Sequence, residues 1–504
     1  MNETNRAELE TTEHRHTAGN VEAVLGYSLR EDPSSGCLYG SVILAALAGC
    51  MGWGIRGQYG HETGAMIAGV LVGFVLVLIY CPQASSLRAA RAVALCAIGF
   101  SFGGSMTYGQ TVGLTHDGEL VGNWAALRWG MLGLFIKGGV WIGFGGALFG
   151  IGLSGKRYRP LEMFTLFATL LGCYFLGVYL LNEPYRPNER VLPALYFSDH
   201  WHWEPDKADL KPRRETWGGL ALALGVLFVY LGWIKKDRLA RNMTIVGVLS
   251  GGFGFTVGQA IQCLHGWKAP FLSPWVIGVV ANWWNMMEKS FGFVLGFGMG
   301  LGVWTNRHLI AKNNTDGDVE IPIAAECLLA VVYVGALFGM HLQFSNPVLA
   351  VGAVPIIAIA GGRYWPYIFP LPLLALPIAI KTLRARGGLG SEPSAPTLEI
   401  VGCWVFYLVI PLAVCLAAAI YFARRGRGAE TGRLFLRWGL VLAAWTYFWL
   451  NFAFFNYPWW WTEWGSRSFA NWVFTISTLA LTFAAIAFHR RHATSSIASS
   501  GDSM

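Results

Sequence analysis

Two copies of one short pattern hold most of the chemistry visible in this sequence. Gly109-Gln110 closes a long apolar run, and His116 follows six residues after the glutamine. Gly258-Gln259 closes another, and His265 again follows at the same distance. A glutamine amide offers both donors and an acceptor, and histidine titrates near neutral pH. At a helix end such residues can hold a polar solute or pass a proton. Glu62-Thr63 and Glu215-Thr216 lie upstream of the two copies, and Asn123-Trp124 and Asn282-Trp283 downstream. The offsets between copies are 215 − 62 = 153, 259 − 110 = 149, 265 − 116 = 149 and 282 − 123 = 159. Four landmarks in one order at nearly one offset predict a tandem duplication. The competing explanation is chance alignment of glycine-rich segments.

More polar residues gather at the same predicted depth. Arg56, Gln58, His61 and Glu62 fall in one turn, and Tyr108, Gln110, His116 and Asp117 at the top of a later segment. Gln259, Gln262 and His265 repeat that position, and His341 and Gln343 close a further segment. Any water interface collects polar side chains at helix ends, so a shared vestibule is an expectation for the structure to meet. Gln110 and Gln259 are expected at one central site with His61 or Glu62.

Charges inside apolar segments are more specific. Arg128 and Lys137 share one segment, and Glu288 and Lys289 share another. A charge at bilayer depth costs roughly 2.5–3.5 kcal/mol on insertion scales unless it is paired or wet. Glu288 is therefore expected to meet Arg128 or Lys137, either as a lock between helices or as part of a substrate site. The predicted substrate-binding set is Arg56, Gln58, His61, Glu62, Gln110, His116, Arg128, Gln259, His265 and Glu288.

The loop 182–216 contains Asp199-His200-Trp201-His202-Trp203-Glu204, followed by Asp206 and Asp209. His200 and His202 with flanking carboxylates form a candidate divalent-metal site. His-x-His also suits packing beneath a lid. No cofactor is expected. The sequence lacks a phosphate-binding Gly-Lys-Ser/Thr loop and a His-Glu-x-x-His zinc helix. Trp459, Trp460 and Trp461 belong to the 23 tryptophans, whose default place is the headgroup layer.

The elements that must position these residues are membrane helices. The 504 residues are 54% hydrophobic and 13% charged, against about 25% charged in soluble proteins. The apolar blocks match the roughly 20 residues a helix needs to cross a bilayer. About fourteen spans are predicted, near 38–55, 64–81, 92–113, 123–153, 161–181, 217–234, 243–261, 275–304, 322–342, 347–362, 365–380, 399–423, 434–454 and 468–488. The blocks 123–153 and 275–304 exceed one straight crossing, which implies tilt, a kink or a short leading segment. Glycine, at 63 residues, favours close helix packing. The nine cysteines read as small apolar fillers.

Basic loops orient the chain. Arg88 and Arg91, Lys156 to Arg159, Lys235 to Arg241, Arg307 and Lys312, Arg424 to Arg427, and Arg490 and Arg491 all fall on one side, expected to be cytoplasmic. Lys381, Arg384 and Arg386 fall on the other. The net charge of +8 reflects this bias and excludes nothing but a nucleic-acid argument. The expected organisation is a cytoplasmic polar tail 1–37, a four-helix repeat 38–153, a parallel second repeat 161–304 that includes loop 182–216, C-terminal helices 322–488 and a cytoplasmic tail 489–504. The partners are the lipid bilayer and a small-molecule substrate.

These features predict a secondary transporter for a small polar or anionic solute in a bacterial-type inner membrane. Protonation of Glu62, Glu288 or an outer histidine would supply coupling. The alternative is a membrane-embedded enzyme with an outward active site for a lipid-linked glycan or acyl donor. A third expectation is an assembly subunit whose buried charges only register helices.

Overall fold

The computed structural model describes residues 35–206, 211–268, 274–279, 282–311, 319–341, 348–387, 397–426, 428–455 and 467–501. Most of the predicted amino-terminal tail, Lys207 to Leu210, Gln343 and Trp459 to Trp461 lie outside them. Among the described residues the chain is helical apart from turns and one isolated antiparallel bridge, Arg186 to Val191. Ten helices among the described residues are long and apolar enough to cross a membrane. The chain is an all-α integral membrane protein.

Nine of the described helices build the part that matters for the site. They are α1 (Ser35–Arg56), α2 (His61–Tyr80), α3 (Ser86–Phe102), α4 (Gly109–His116), α5 (Trp124–Ser154), α6 (Pro160–Leu181), α7 (Trp217–Val229), α8 (Arg238–Gly266) and α9 (Trp283–Thr305). Helices α1, α2, α3, α5, α8 and α9 each pack on the next, and α9 closes back on α1. Neighbours run antiparallel. Gly52 meets Ala68 and Gly64 meets Arg56 between α1 and α2, and Gly99 meets Gly145 and Gly152 meets Ala92 between α3 and α5. Gly138 meets Gly251 and Gly150 meets Ala240 between α5 and α8, and Gly49 meets Gly292 and Val42 meets Gly300 between α1 and α9. It follows that α3 and α8 point the same way, as do α5 and α9.

Glycine is required where these backbones touch. A β-carbon on Gly49 would lie 2.2 Å from the Gly292 carbonyl oxygen, and one on Gly251 would lie 2.1 Å from the Gly138 carbonyl oxygen. Lipid supplies no hydrophobic drive between helices, so close small-residue packing carries the association. Helix α2 is apolar all round and buried from Gly64 to Ile79, as a helix enclosed by others must be.

The remaining helices wrap this ring. They include α10 (Ile323–His341), α11 (Val348–Gly361), α12 (Leu374–Ala385), α13 (Ile410–Arg424), α14 (Ala429–Phe455) and α15 (Ser468–Gly501). Helix α14 packs on α2 and α3, and α15 covers α1. The last helix continues past the predicted span end at 488 to Gly501.

Basic side chains tie one end of the bundle together. Arg88 donates to the Leu153 and Ala311 carbonyls, Arg157 pairs with Glu320 at 2.8 Å, and Lys235 pairs with Glu162 at 2.5 Å. Arg56, His61, loop 182–216 and Lys381 lie at the opposite end. The Lys381 ammonium sits 3.6 Å from where a β-carbon on Gly60 would be.

Three predicted segments differ in detail. The block 92–113 is not one helix. It ends at Phe102, passes through a tight turn at Gly103–Ser105, and resumes as α4. A β-carbon on Gly103 would sit 2.1 Å from the Trp141 Cα, so α5 presses directly on the break. The corresponding Gly251-Gly252 does not unwind; it lies inside continuous α8, where both glycines serve as contact points for α5. The block 275–304 is a short helix, Pro274–Val279, followed by α9, whereas 123–153 is the single helix α5. Asn123 caps α5 by accepting from Ala125 and Ala126, and Asn282 caps α9 by accepting from Asn285. The repeated Asn-Trp landmark is thus a helix start in both places.

Candidate functional site

The break after α3 brings Tyr108 over the C-terminal end of α1. There the Arg56 guanidinium, at 2% exposure, is enclosed by aromatic faces. Its Cζ lies 4.9 Å from the Trp53 ring centre, 5.4 Å from Trp141 and 5.8 Å from Tyr108. Such faces stabilise a cation, more so when it is desolvated. In the plane of the guanidinium, Nη2 donates to Glu288 Oε1 and to the Tyr108 hydroxyl, each at 3.0 Å. Nη1 lies 3.0 Å from His61 Nδ1. A guanidinium only donates, so His61 Nδ1 is the acceptor. The imidazole keeps an exposed edge while this nitrogen turns inward.

The cluster is not saturated. Among the described residues, Arg56 Nε, Glu288 Oε2, Asn285 Oδ1 and Trp53 Nε1 are buried without a hydrogen-bond partner, while the Asn285 side chain also acts on the Glu288 carboxylate. Buried polar atoms are normally paired, so four orphans in one place mark either strain or a binding position. One helical turn deeper the ring is filled. Trp53 meets Trp141 at 5.1 Å and Phe291 at 4.4 Å, and Phe255 stacks on Phe291 at 4.9 Å. These aromatics close the space below Arg56 and Glu288.

A second buried pair is fully satisfied. Lys137 donates to Glu215 Oε1 at 2.5 Å and to the Thr111 hydroxyl at 2.7 Å. Glu215 also accepts from the Phe197 amide and the Ser198 hydroxyl. Burial and the nearby Glu215 carboxylate raise the Tyr196 phenol above its ordinary range.

Outside these pairs lies an open crevice of about 410 Å³, lined by Gln110, His116, Asp117, His200, Arg213 and Trp284 among others. His200 is buried and both ring nitrogens are engaged, Nδ1 with Glu204 Oε2 at 2.7 Å and Nε2 with the Gln110 carbonyl at 2.8 Å. His202 is exposed, with its ring edge-on to Trp203 at 4.6 Å. Among the described residues no group of three His, Cys, Asp or Glu side chains is placed to hold a metal.

Comparison with protein-family models, with curated proteins and with solved structures finds no match. The site's own geometry carries the functional argument.

The predicted site residues divide into three groups. Arg56, His61 and Glu288 meet at the caged cluster. Glu62 lies beside it in the first turn of α2, and half-buried Gln58 in the preceding turn makes no side-chain hydrogen bond among the described residues. Gln110, His116 and His265 lie further out. Gln110 clamps loop 182–216, donating to the Lys211 carbonyl at 2.7 Å and accepting from the Arg213 amide at 2.9 Å. His265 stacks on Trp283, 4.5 Å between ring centres. Gln259 is buried elsewhere, donating to the Thr115 hydroxyl at 2.8 Å. The two glutamines therefore do not share a site. Arg128 is exposed on the bundle, its Nε donating to the Trp124 carbonyl, and does not meet Glu288. Glu288 meets Arg56, and Lys137 meets Glu215, a residue that sequence reasoning used only as a landmark.

Proposed function

We propose that this chain is a secondary transporter for a small polar or anionic solute. The observation that carries the reading is the Arg56–Glu288 pair, held in an aromatic cage at a broken helix with four unmatched polar atoms around it. Intramembrane charges of this kind favour a substrate or proton path over simple scaffolding. Broken helices at a binding position are a recurrent feature of transporters. The aromatic layer beneath the pair would be the inner gate of an outward-facing state. Glu288 and His61 would exchange protons as solute binds.

The wider reading is a fourteen-span chain in a bacterial-type inner membrane, with both termini cytoplasmic. Basic residues tying one end of the bundle support that orientation. Shared directions of α3 with α8 and of α5 with α9, and the two Asn caps, support a parallel tandem repeat.

Proteoliposomes holding the full chain test this reading. Uptake of at least one labelled solute from a set of small carboxylates, sugars and phosphate is expected, and Glu288→Gln should abolish it. No uptake of any of them, with or without a proton gradient, would sink the proposal.

The open crevice favours a second reading, an outward-facing enzyme on lipid-linked glycan or acyl donors. His116 spends Nδ1 on the Val112 carbonyl and leaves Nε2 for proton transfer, with Asp117 adjacent. Loss of a hydrolytic or transfer activity in His116→Gln, with Glu288→Gln unaffected, would select it.

A further inference from the structure

The open crevice of about 410 Å³ runs along α4, and its two charges stand in an order that the helix itself does not favour. Gly109 and Gly113 both line it, one helical turn apart, which puts their β-positions about 6 Å from each other. Arg213 reaches over the first: its Nη1 lies 3.8 Å from where a β-carbon on Gly109 would be. Asp117 folds back over the second: its Oδ2 lies 2.5 Å from where a β-carbon on Gly113 would be, beside His200 Cε1 at 3.2 Å. A helix is partly positive at its start and partly negative at its end, so acids suit the start and bases the end. Here the arginine stands at the start of α4 and the aspartate just past its end. Each adds to the sign already there. Departures of this kind from local stability rules gather at functional sites.

Among the described residues, neither the Arg213 nor the Asp117 side chain is spent on a hydrogen bond or an ion pair, with each other or elsewhere. Tyr108 gives the first-turn amides of α4 no side-chain cap. His116 Nδ1 faces the Val112 carbonyl, which only accepts, so this nitrogen carries the proton and Nε2 is left as an acceptor. The other polar lining groups are taken. Gln110 clamps the loop, and His200 is held at both ring nitrogens. The crevice therefore has one end that attracts anions, at Arg213, and one that attracts cations, at Asp117 and His116, with Trp284 as an apolar wall.

A solute that enters must replace the water around both charges. A simple anion leaves Asp117 opposed, a simple amine leaves Arg213 opposed, and a neutral solute compensates neither in full. A solute carrying both signs compensates both. The spacing of one helical turn fits two charges close together on one small molecule better than charges at the ends of a long one. The volume is also of small-molecule size. We propose that the crevice binds a free α-amino acid, its carboxylate toward Arg213 and its ammonium toward Asp117 and His116. The assignment rests on the crevice alone and on neither reading given above.

Calorimetric titration of the detergent-solubilised full chain with L-leucine, glycine, isocaproate, isoamylamine and glycerophosphoethanolamine tests this. Isocaproate is leucine without its amine, and isoamylamine is leucine without its carboxylate. Leucine should bind at least about tenfold more tightly than either, the scale of one charge-assisted hydrogen bond. The variants should cross. Arg213→Gln should weaken leucine by about tenfold or more and leave isoamylamine bound as well or better. Asp117→Asn should weaken leucine as much and leave isocaproate bound as well or better. A structural role for either side chain would instead weaken all probes together. Arg213 is exposed and Asp117 half-buried, so both variants should fold. Equal affinity for leucine and isocaproate, full leucine affinity in either variant, a uniform loss across probes, or no binding of leucine or glycine would each overturn the assignment. Tighter binding of glycerophosphoethanolamine would overturn it too, in favour of a lipid headgroup. Uptake assays keep this apart from the transporter reading. Leucine bound in the crevice but never taken up would count against transport and leave the site standing. Uptake of another solute by a chain that binds no amino acid would do the reverse.

Discussion

The ammonium of Lys137, inside α5, lies 2.5 Å from Oε1 of Glu215, which ends the outer loop two residues before α7. Both side chains are fully buried. The pair nails a loop to the middle of a membrane helix. Lys137→Met should leave Glu215 charged and unmatched, at a cost of about 3–5 kcal/mol. Lys137→Met with Glu215→Gln should recover much of that loss. Denaturation in detergent measures both, and equal losses in the single and double variants would show that the carboxylate is not what suffers.

Arg56 and Glu288 should behave differently, because their cluster is incomplete. Glu288→Gln keeps the shape and should insert and purify normally, yet lower solute uptake by at least about tenfold. Unchanged uptake in a correctly folded Glu288→Gln would make the pair a helix lock and nothing more.

Gln110 holds a loop and should not hold solute. Gln110→Leu is expected to expose loop 182–216 to protease while sparing uptake. Its loss of stability should be about 1–2 kcal/mol, the scale of two neutral hydrogen bonds. A variant that loses uptake with its loop still resistant would put the glutamine back in the binding site.

The two ends of the bundle should label from opposite sides. Cysteine at Asn188, exposed in the outer loop, should react with an impermeant thiol reagent in intact cells. Cysteine at Arg157 should react only after permeabilisation. The reverse pattern would invert the orientation.

Gly292→Ala places a methyl group 2.2 Å from the Gly49 carbonyl oxygen. Overpacking of this kind costs about 1–3 kcal/mol, and α1 and α9 should separate first. Cysteine pairs across α1 and α9 would report the loosening, and undiminished cross-linking together with full thermal stability would contradict the contact.

Much of the helical frame was legible because it is local. Apolar length marked the long helices as membrane-spanning. Partner choice was not legible. Lys137 and Glu215 are 78 residues apart, and nothing in local spacing ties them. Arg56 was grouped with its neighbours at a turn, but its match with Glu288 across 232 residues depends on how α9 closes the ring. Gly251-Gly252 looked like Gly103-Gly104 because glycine serves unwinding and close contact alike. Their neighbours differ: Gly103 meets Trp141 and Gly104 the His61 backbone, whereas Gly251 meets the Gly138 backbone and Gly252 the Phe135 ring.

The antiparallel seam between Gly49 and Gly292 also sets a timetable. Gly49 leaves the ribosome 292 − 49 = 243 residues before its partner. At roughly 5–20 residues per second, α1 waits about 12–50 s for the helix that completes its far side. During that interval its glycine stripe faces lipid, or whatever the insertion machinery supplies. A synthesis pause before α9 would lengthen the exposure, and a chain cut short there would leave α1 with one flank unmatched. Quality control in the membrane has a defined surface to recognise in such a fragment, and it disappears when the ring closes.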